Sequence, residues 1–180
     1  LLKTIDRTRG QAEVHFDNAA AEVLPGSTKS ELALRHTIDV GRIMLAADTL
    51  GAAQVMLDKS IDYACERKQF NRVIGSFQAV KHMCAEMAAE LEPCRSLVWY
   101  AAHSVANVPE DTALMAGHAK AHLSEVGRFV ARTATEVHGG MGITDLLGLH
   151  YWFKRIGLNR QLLGAPELVR AELANVQGWV

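Results

Sequence analysis

The stretch Ile43-Met44-Leu45-Ala46-Ala47-Asp48-Thr49-Leu50-Gly51-Ala52-Ala53-Gln54-Val55-Met56-Leu57 decides the fold of this chain. Ile43, Ala47, Leu50, Gln54 and Leu57, continued by Ile61 and Ala64, return every three or four residues, the spacing that lays side chains along one face of an α-helix. The period predicts one long amphipathic helix over residues 31–66. Toward the C terminus a second helix is predicted from about Phe77, where Val80, Cys84, Met87, Leu91, Cys94, Val98, Ala101 and Val105 keep the step, with a kink at Pro93 and a stop at Val108-Pro109. A third opens on Glu110 and Asp111, which suit the positive end of the helix dipole, presents Ala119, Leu123, Val126, Val130, Thr133 and Val137, and stops at Gly139-Gly140. A last helix starts at Pro166, a good first-turn residue, and carries Leu168, Ala171 and Leu173. Helices of this length joined by short loops predict a mainly α protein, an antiparallel four-helix bundle.

Toward the N terminus the pattern changes. Glu13-Val14-His15-Phe16 alternates polar and apolar residues, and Leu24-Pro25-Gly26-Ser27 is a turn cluster, so residues 1 to about 28 predict a short hairpin or two strands. Two strands do not make an independently stable sheet. Residues 1–30 are therefore expected to be the incomplete end of a β-domain, and residues 31–180 the helical domain.

Composition narrows the function classes. With 180 residues, 49% hydrophobic and 22% charged, the chain can bury a sizeable core, and a formal net charge of −1 provides no global field to draw nucleic acid or an anionic membrane. No uninterrupted apolar run reaches the length of about 18 residues that spans a bilayer. The first residues, Leu1-Leu2-Lys3-Thr4, lack both a signal-peptide layout and an initiator Met, which leads us to expect a cytoplasmic protein and a fragment of a longer chain. Cys65, Cys84 and Cys94 are odd in number, lack CxxC spacing and sit in helical patterns, as reduced core thiols do.

Two stretches carry chemistry. The connection Glu66-Arg67-Lys68-Gln69-Phe70-Asn71-Arg72-Val73-Ile74-Gly75-Ser76-Phe77-Gln78 places three cations within six residues among aromatic rings and amides. That set suits a dinucleotide, with cations for the pyrophosphate, flat apolar rings for a base and amides for hydrogen bonds. The same composition also describes a solvated basic loop anchored by two aromatics. In Glu136-Val137-His138-Gly139-Gly140-Met141-Gly142 a helix ends on three glycines within four residues, where missing Cβ atoms let a phosphate or ring approach the backbone. A simple helix stop accounts for one of those glycines.

In this order and spacing the two stretches resemble the acyl-CoA dehydrogenase family. Its Glu-Arg-x-x-Phe pattern followed by Phe-Gln reads here as Glu66-Arg67-Lys68-Gln69-Phe70 and Phe77-Gln78, and its Gln-Ile-x-Gly-Gly-x-Gly reads as Glu136 to Gly142. Glu13 to Gly26 looks like the end of the family's middle β-domain. The resemblance implies an FAD held across a subunit interface, with Arg67, Gln69, Phe70, Ile74, Phe77 and Gln78 touching it from one subunit and Glu136, Val137, Gly139 and Gly140 from the neighbour. It also implies an acyl-CoA substrate, an oligomer with itself or with related subunits, and a flavoprotein as electron acceptor. Glu136 departs from the family's Gln, and a carboxylate near pyrophosphate is repulsive unless a cation pairs with it.

The implied reaction removes two hydrogens from an acyl thioester, a carboxylate taking the α proton while the flavin accepts hydride from the β carbon. In relatives that carboxylate occupies one of two positions, which here are Leu163 and Gly41. Neither residue accepts a proton, so no catalytic residue is assigned. A register slip of two residues offers Asp39 instead. Ala165 replaces a family hydroxyl, and Lys154-Arg155 replaces the usual Arg-Asp. Some bacterial members work as mixed-subunit tetramers on bulky sterol side-chain thioesters, with one subunit lacking the base, and this chain resembles those. Two other readings stand beside it: an active subunit using Asp39, and a helical interaction module that binds no flavin.

Other features have structural readings. His118 and His122 share a helix face without a third ligand, so no metal site is expected. His82 and His138 are expected as hydrogen-bonded interior or interface histidines. Trp99, Tyr100, Tyr151, Trp152 and Trp179 are expected in packing or subunit contact.

Overall fold

A computed structural model describes residues 1–27 and 30–179. The helical elements are α1 (Ser30–Glu66), α2 (Gln78–Asn107), α3 (Thr112–His138), α4 (Leu149–Gln161) and α5 (Pro166–Val176). Strands β1 (Lys68–Gln69) and β2 (Arg72–Val73) form a two-stranded antiparallel hairpin between α1 and α2.

The helices run alternately up and down. Asp48 and Thr49 of α1 bond Arg155 and Asn159 of α4, while Gly41 lies against Leu163, so α4 runs opposite to α1. Tyr63 stacks on His138 with ring centroids 4.5 Å apart, placing the C-terminal ends of α1 and α3 together. The predicted bundle forms, but its fourth corner is divided between α4, which packs on α1 and α3, and α5, which packs on α3. Helix α4 has no counterpart in the sequence expectation. Only Leu149, Ile156 and Asn159 of it are buried, and it opens on Gly148 in the left-handed region without a side-chain cap, so neither periodicity nor a cap announces it.

Met56, Met87, Leu91, Leu123, Val130 and Ile156 fill the core. The predicted stripe on α3 is buried throughout. On α1 the buried face is turned from the predicted one. Ile43, Leu50, Leu57 and Ala64 are inside, joined by Ala46, Thr49, Ala53, Met56 and Ser60, whereas Ala47 and Ile61 are exposed. Contact with α2, α3 and α4 widens the buried sector of α1 beyond a single stripe, and small residues let the neighbouring backbones approach. Helix α2 continues through Pro93, and Leu168 and Ala171 of α5 are exposed while Val169 and Leu173 point inward. One 18-residue window in α1 reaches a mean hydropathy of 1.2, in the range of a membrane span, but half of it is buried inside the bundle.

Residues 1–27 contain no strand. The expected hairpin does not form because nothing among the described residues pairs with 13–16, and Val14, Phe16, Val23 and Leu24 remain exposed. Thr28, Lys29 and Val180, at the ends of the two predicted domains, lie outside the described residues. The N-terminal segment is nevertheless anchored. Asp6 is buried and accepts from Arg9, whose Nη1 donates to Asn159 at 2.6 Å and whose Nη2 donates to the Arg155 carbonyl at 3.1 Å.

Candidate functional site

The segment 67–78 is a tight hairpin capping one end of the bundle. Lys68 pairs with Val73 and Gln69 with Arg72, leaving Phe70 and Asn71 as the two turn residues. Both have positive φ, +52° and +60°, the requirement of a type I′ turn. Asparagine tolerates that region, but an aromatic residue there stores strain of order 1–3 kcal/mol, which marks candidate functional positions. Phe70 is 87% exposed, with its ring edge-on to Phe77 at 6.0 Å. The Arg72 guanidinium lies over the Phe77 ring at 3.9 Å, and Gln78 bonds His82 at 3.1 Å. Arg67, Lys68, Gln69 and Gln78 are exposed, while Ile74 packs back against the core and anchors the hairpin. Of the six residues assigned here, five therefore present polar or aromatic groups outward or at the rim, and Ile74 supports them from beneath.

The second segment lies at the same end. Glu136 is exposed on a groove of about 380 Å³ shared with Glu125, Arg128, Phe129, Arg132 and Thr133. Arg132, one turn before Glu136, supplies the nearby cation that a carboxylate beside an anionic ligand needs. Val137 is buried in the core, so its side chain is unavailable and only its backbone can meet a ligand. Gly139 has φ +59° and ψ −142°, a conformation glycine alone adopts readily, and a Cβ built there or on Gly140 would meet nothing within 4 Å. The space over this backbone is open. Between the two segments, His138 is buried against Tyr63 with Nδ1 2.7 Å from the Ala134 carbonyl. Burial holds its pKa below the ordinary value, outweighing the Ala134 hydrogen bond, and favours the neutral ring. A pocket of about 210 Å³ lined by Lys59, Asp62, Tyr63, Glu66, His138 and Leu147 opens beside this stack. Tyr63 carries no motif and was missed in the sequence.

Gly41 and Leu163, the two positions where the resemblance leads us to expect a base, meet each other in space. A Cβ on Gly41 would stand 2.5 Å from Leu163 Cδ1, so these residues occupy one shared volume. Leu163 has φ +55° and is held by Arg42, whose Nε donates to its carbonyl at 3.0 Å and whose Nη2 meets Glu172 at 2.7 Å. Asp39, two residues and about 200° around the helix from Gly41, is half-buried, and burial raises its pKa against the opposing charges of Arg42 and His36. Arg155, which replaces a family Asp, binds Asp48 through both carboxylate oxygens at 2.6–3.0 Å. Burial works to raise the Asp48 pKa, but hydrogen bonds from Arg155 and Asn159 outweigh it and leave the carboxyl below its ordinary range.

The remaining expectations divide. His118 and His122 share a groove with Arg170 and Trp179, and no cluster of three metal-binding side chains occurs among the described residues. His82 is exposed rather than interior, since the first turn of α2 stands at the rim beside the hairpin. Trp99, Tyr100, Tyr151 and Trp179 are exposed and Trp152 packs against the core. Cys65 is exposed, correcting its reading as a core thiol, because the buried side of this turn of α1 is taken by its neighbour Ala64.

Comparison with known proteins agrees with the helical fold. The family profile described as acyl-CoA dehydrogenase, C-terminal domain, matches residues 32–177. The acyl-CoA dehydrogenase IpdE2 of Mycolicibacterium smegmatis is 35% identical over 146 residues, covering 81% of this chain and 45% of the relative. The caffeyl-CoA reductase-Etf complex subunit CarC of Acetobacterium woodii is 37% identical over 139 residues, covering 77% and 35%. Among solved structures, a variant of the Tcur3481-Tcur3483 steroid acyl-CoA dehydrogenase superposes with a TM-score of 0.76 at 32% identity, covering 82% of this chain and 40% of that one. The chain thus spans less than half the length of these relatives. With the bundle, the outward-facing hairpin and the open Gly139-Gly140 backbone in place, the chain belongs to the acyl-CoA dehydrogenase family and carries its C-terminal domain.

Proposed function

We propose that this chain is the FAD-holding helical domain of a subunit that serves α,β-dehydrogenation of acyl-CoA thioesters while leaving proton abstraction to a partner subunit. The observation that carries this reading is the contact between Gly41 and Leu163, which fills both family base positions with groups unable to accept a proton. The residues present fit a flavin dinucleotide. Arg67, Gln69 and Gln78 offer exposed donors and Phe70 and Phe77 offer rings, with Ile74 as support. Gly139 and Gly140 leave open backbone, Val137 offers only its backbone, and Glu136 has Arg132 beside it. When bound, FAD supplies the hydride acceptor for the β carbon.

Position along α1 supports an assembly. Gly41 and Glu66 are 25 residues apart, so the base positions and the hairpin of one chain are separated by about 37 Å of helix at 1.5 Å per residue. Reacting atoms must come within about 3–3.5 Å. A flavin held by the hairpin of one chain therefore serves an acyl site built on another copy or on a related subunit. The steroid enzyme and the CarC subunit, whose names specify paired chains or a complex, support a sterol or other lipid thioester as substrate, a related subunit as partner and an electron-transferring flavoprotein as acceptor. In this reading residues 1–30 end the middle domain, residues 31–180 form the bundle, and the protein acts in the cytoplasm without binding nucleic acid or membrane.

The test is coexpression with adjacent-gene partners, flavin quantification and an acyl-CoA panel. The expected result is a yellow complex that an acyl-CoA bleaches and a subunit that alone does not bleach. Bleaching of the lone subunit at ordinary dehydrogenase rates overturns the division of labour. The raised pKa of Asp39 then makes Asp39→Asn the next variant, as the alternative base. Colourless preparations with and without partner favour the module that binds no flavin.

A further inference from the structure

Three features remain unused by this function: buried Lys120, the His118/His122 groove, and a thiol-lined pocket under the hairpin. Lys120 is satisfied by Ser124 and the Asn159 and Arg160 carbonyls, which explains it as the cation closing the end of α4. The histidine groove has no further group pointing to a ligand. The thiol pocket carries more.

Its volume is about 230 Å³ and its lining is Ile61, Ala64, Cys65, Gly75, Val80, Lys81 and Cys84. Ile61, Ala64 and Cys65 stand three and four residues apart on one face of α1, and Val80, Lys81 and Cys84 likewise on α2, so two helix faces look into one space with a thiol on each. Cys65 is exposed, Cys84 is half-buried, and Cys94 is wholly buried farther along α2. We propose that Cys65 and Cys84 are a peroxide-responsive dithiol, with Cys65 the residue oxidised first and Cys84 the one that resolves it. Exposure gives Cys65 access to a hydroperoxide, and the apolar pocket keeps Cys84 reduced until a partner sulfur is presented. Burial, and then the field of Cys65, raise the Cys84 pKa, which agrees with the resolving role.

The chemistry balances with a hydroperoxide as oxidant. The Cys65 thiol gives up its proton, the thiolate sulfur attacks one oxygen of hydrogen peroxide, the O–O bond breaks, the leaving hydroxide takes up that proton as water, and Cys65 is left as the sulfenic acid. The Cys84 sulfur then attacks the sulfenic sulfur, forming the S–S bond and releasing a second water. The bond would join the last turn of α1 to the start of α2 and so tie the two ends of the hairpin that carries Arg67 and Phe70.

The experiment uses the full chain with graded hydrogen peroxide, followed by alkylation without reduction and peptide mass spectrometry. Cys65 and Cys84 are expected to leave the alkylatable pool together, in one cross-linked peptide pair lighter by two hydrogens, while Cys94 keeps its state. Cys84→Ser should convert the product to a dimedone-trapped sulfenic acid at Cys65, and Cys65→Ser should leave Cys84 alkylatable at the same peroxide dose. Oxidation of Cys65 with Cys84 still fully alkylatable, a disulfide between the Cys65 residues of two copies, or no oxidation of either thiol would each overturn the proposal.

Discussion

At its C-terminal end, α1 leads into a hairpin that turns Phe70 outward and leaves Arg67, Lys68 and Gln69 exposed, whereas some 25 residues earlier Gly41 and Leu163 close on each other and Arg42 ties Leu163 to Glu172. Both ends hold non-glycine residues at positive φ, Phe70 and Leu163. Strain at the hairpin keeps a ring facing open space. At the other end it seats an aliphatic side chain against Gly41. The same helix thus leads into an exposed hairpin at one end and passes a closed aliphatic contact near the other.

The largest effect expected from breaking this contrast comes from returning a carboxylate to the filled end. Leu163→Glu, in the flavin-supplied subunit without a partner, should raise the rate of flavin bleaching by an acyl-CoA about 10²- to 10⁴-fold over the unaltered subunit alone, the contribution of a positioned base. Gly41→Glu alone should do less, because its Cβ meets Leu163, and combining it with Leu163→Gly should recover the gain. Equal rates in all three variants would show that the two positions do not share one space.

Next in size is the ionic anchor that joins α1, α4 and the N-terminal segment near the filled end. Asp48→Ala should lower unfolding stability by about 2–3 kcal/mol, since it leaves the Arg155 guanidinium without its acceptor and Asn159 with Thr49 alone. Because the folded Asp48 pKa is depressed, its contribution is fully present above the unfolded value and is lost as pH falls below about 4. The difference in urea midpoint between the wild type and Asp48→Asn should therefore be smaller at pH 3 than at pH 7.

At the open end, Arg67→Ala should weaken FAD retention by about 1.5–3 kcal/mol, the worth of charge-assisted hydrogen bonds, as read by flavin occupancy after dialysis. Unchanged occupancy would remove Arg67 from the site. The smallest effect sharpens the strain argument: Phe70→Gly should raise stability by about 1 kcal/mol by relieving the positive φ, while lowering flavin occupancy. A gain in stability with full occupancy would make the ring dispensable.

Much of this was legible in the residues alone. The apolar step over 43–64, 80–105 and 119–137 determined three long helices, because burying one side of a helix demands that period whatever the neighbours are. The hairpin residues and the Gly139-Gly140 stop stood out because cations, rings and clustered glycines serve few other ends together. What tertiary structure alone decided was which side of α1 faces inward, since three packed neighbours bury Ala46, Thr49 and Ser60 and leave Ile61 outside. It also decided that α4 exists, because Arg155 and Asn159 are polar in sequence and become structural only when Asp48 and Thr49 meet them from residues more than 100 positions away. The contact between Gly41 and Leu163 is of the same kind. The sequence marks each residue separately, and only the antiparallel packing of α1 beside the turn after α4 puts both in one volume, where the presence of one excludes a side chain on the other.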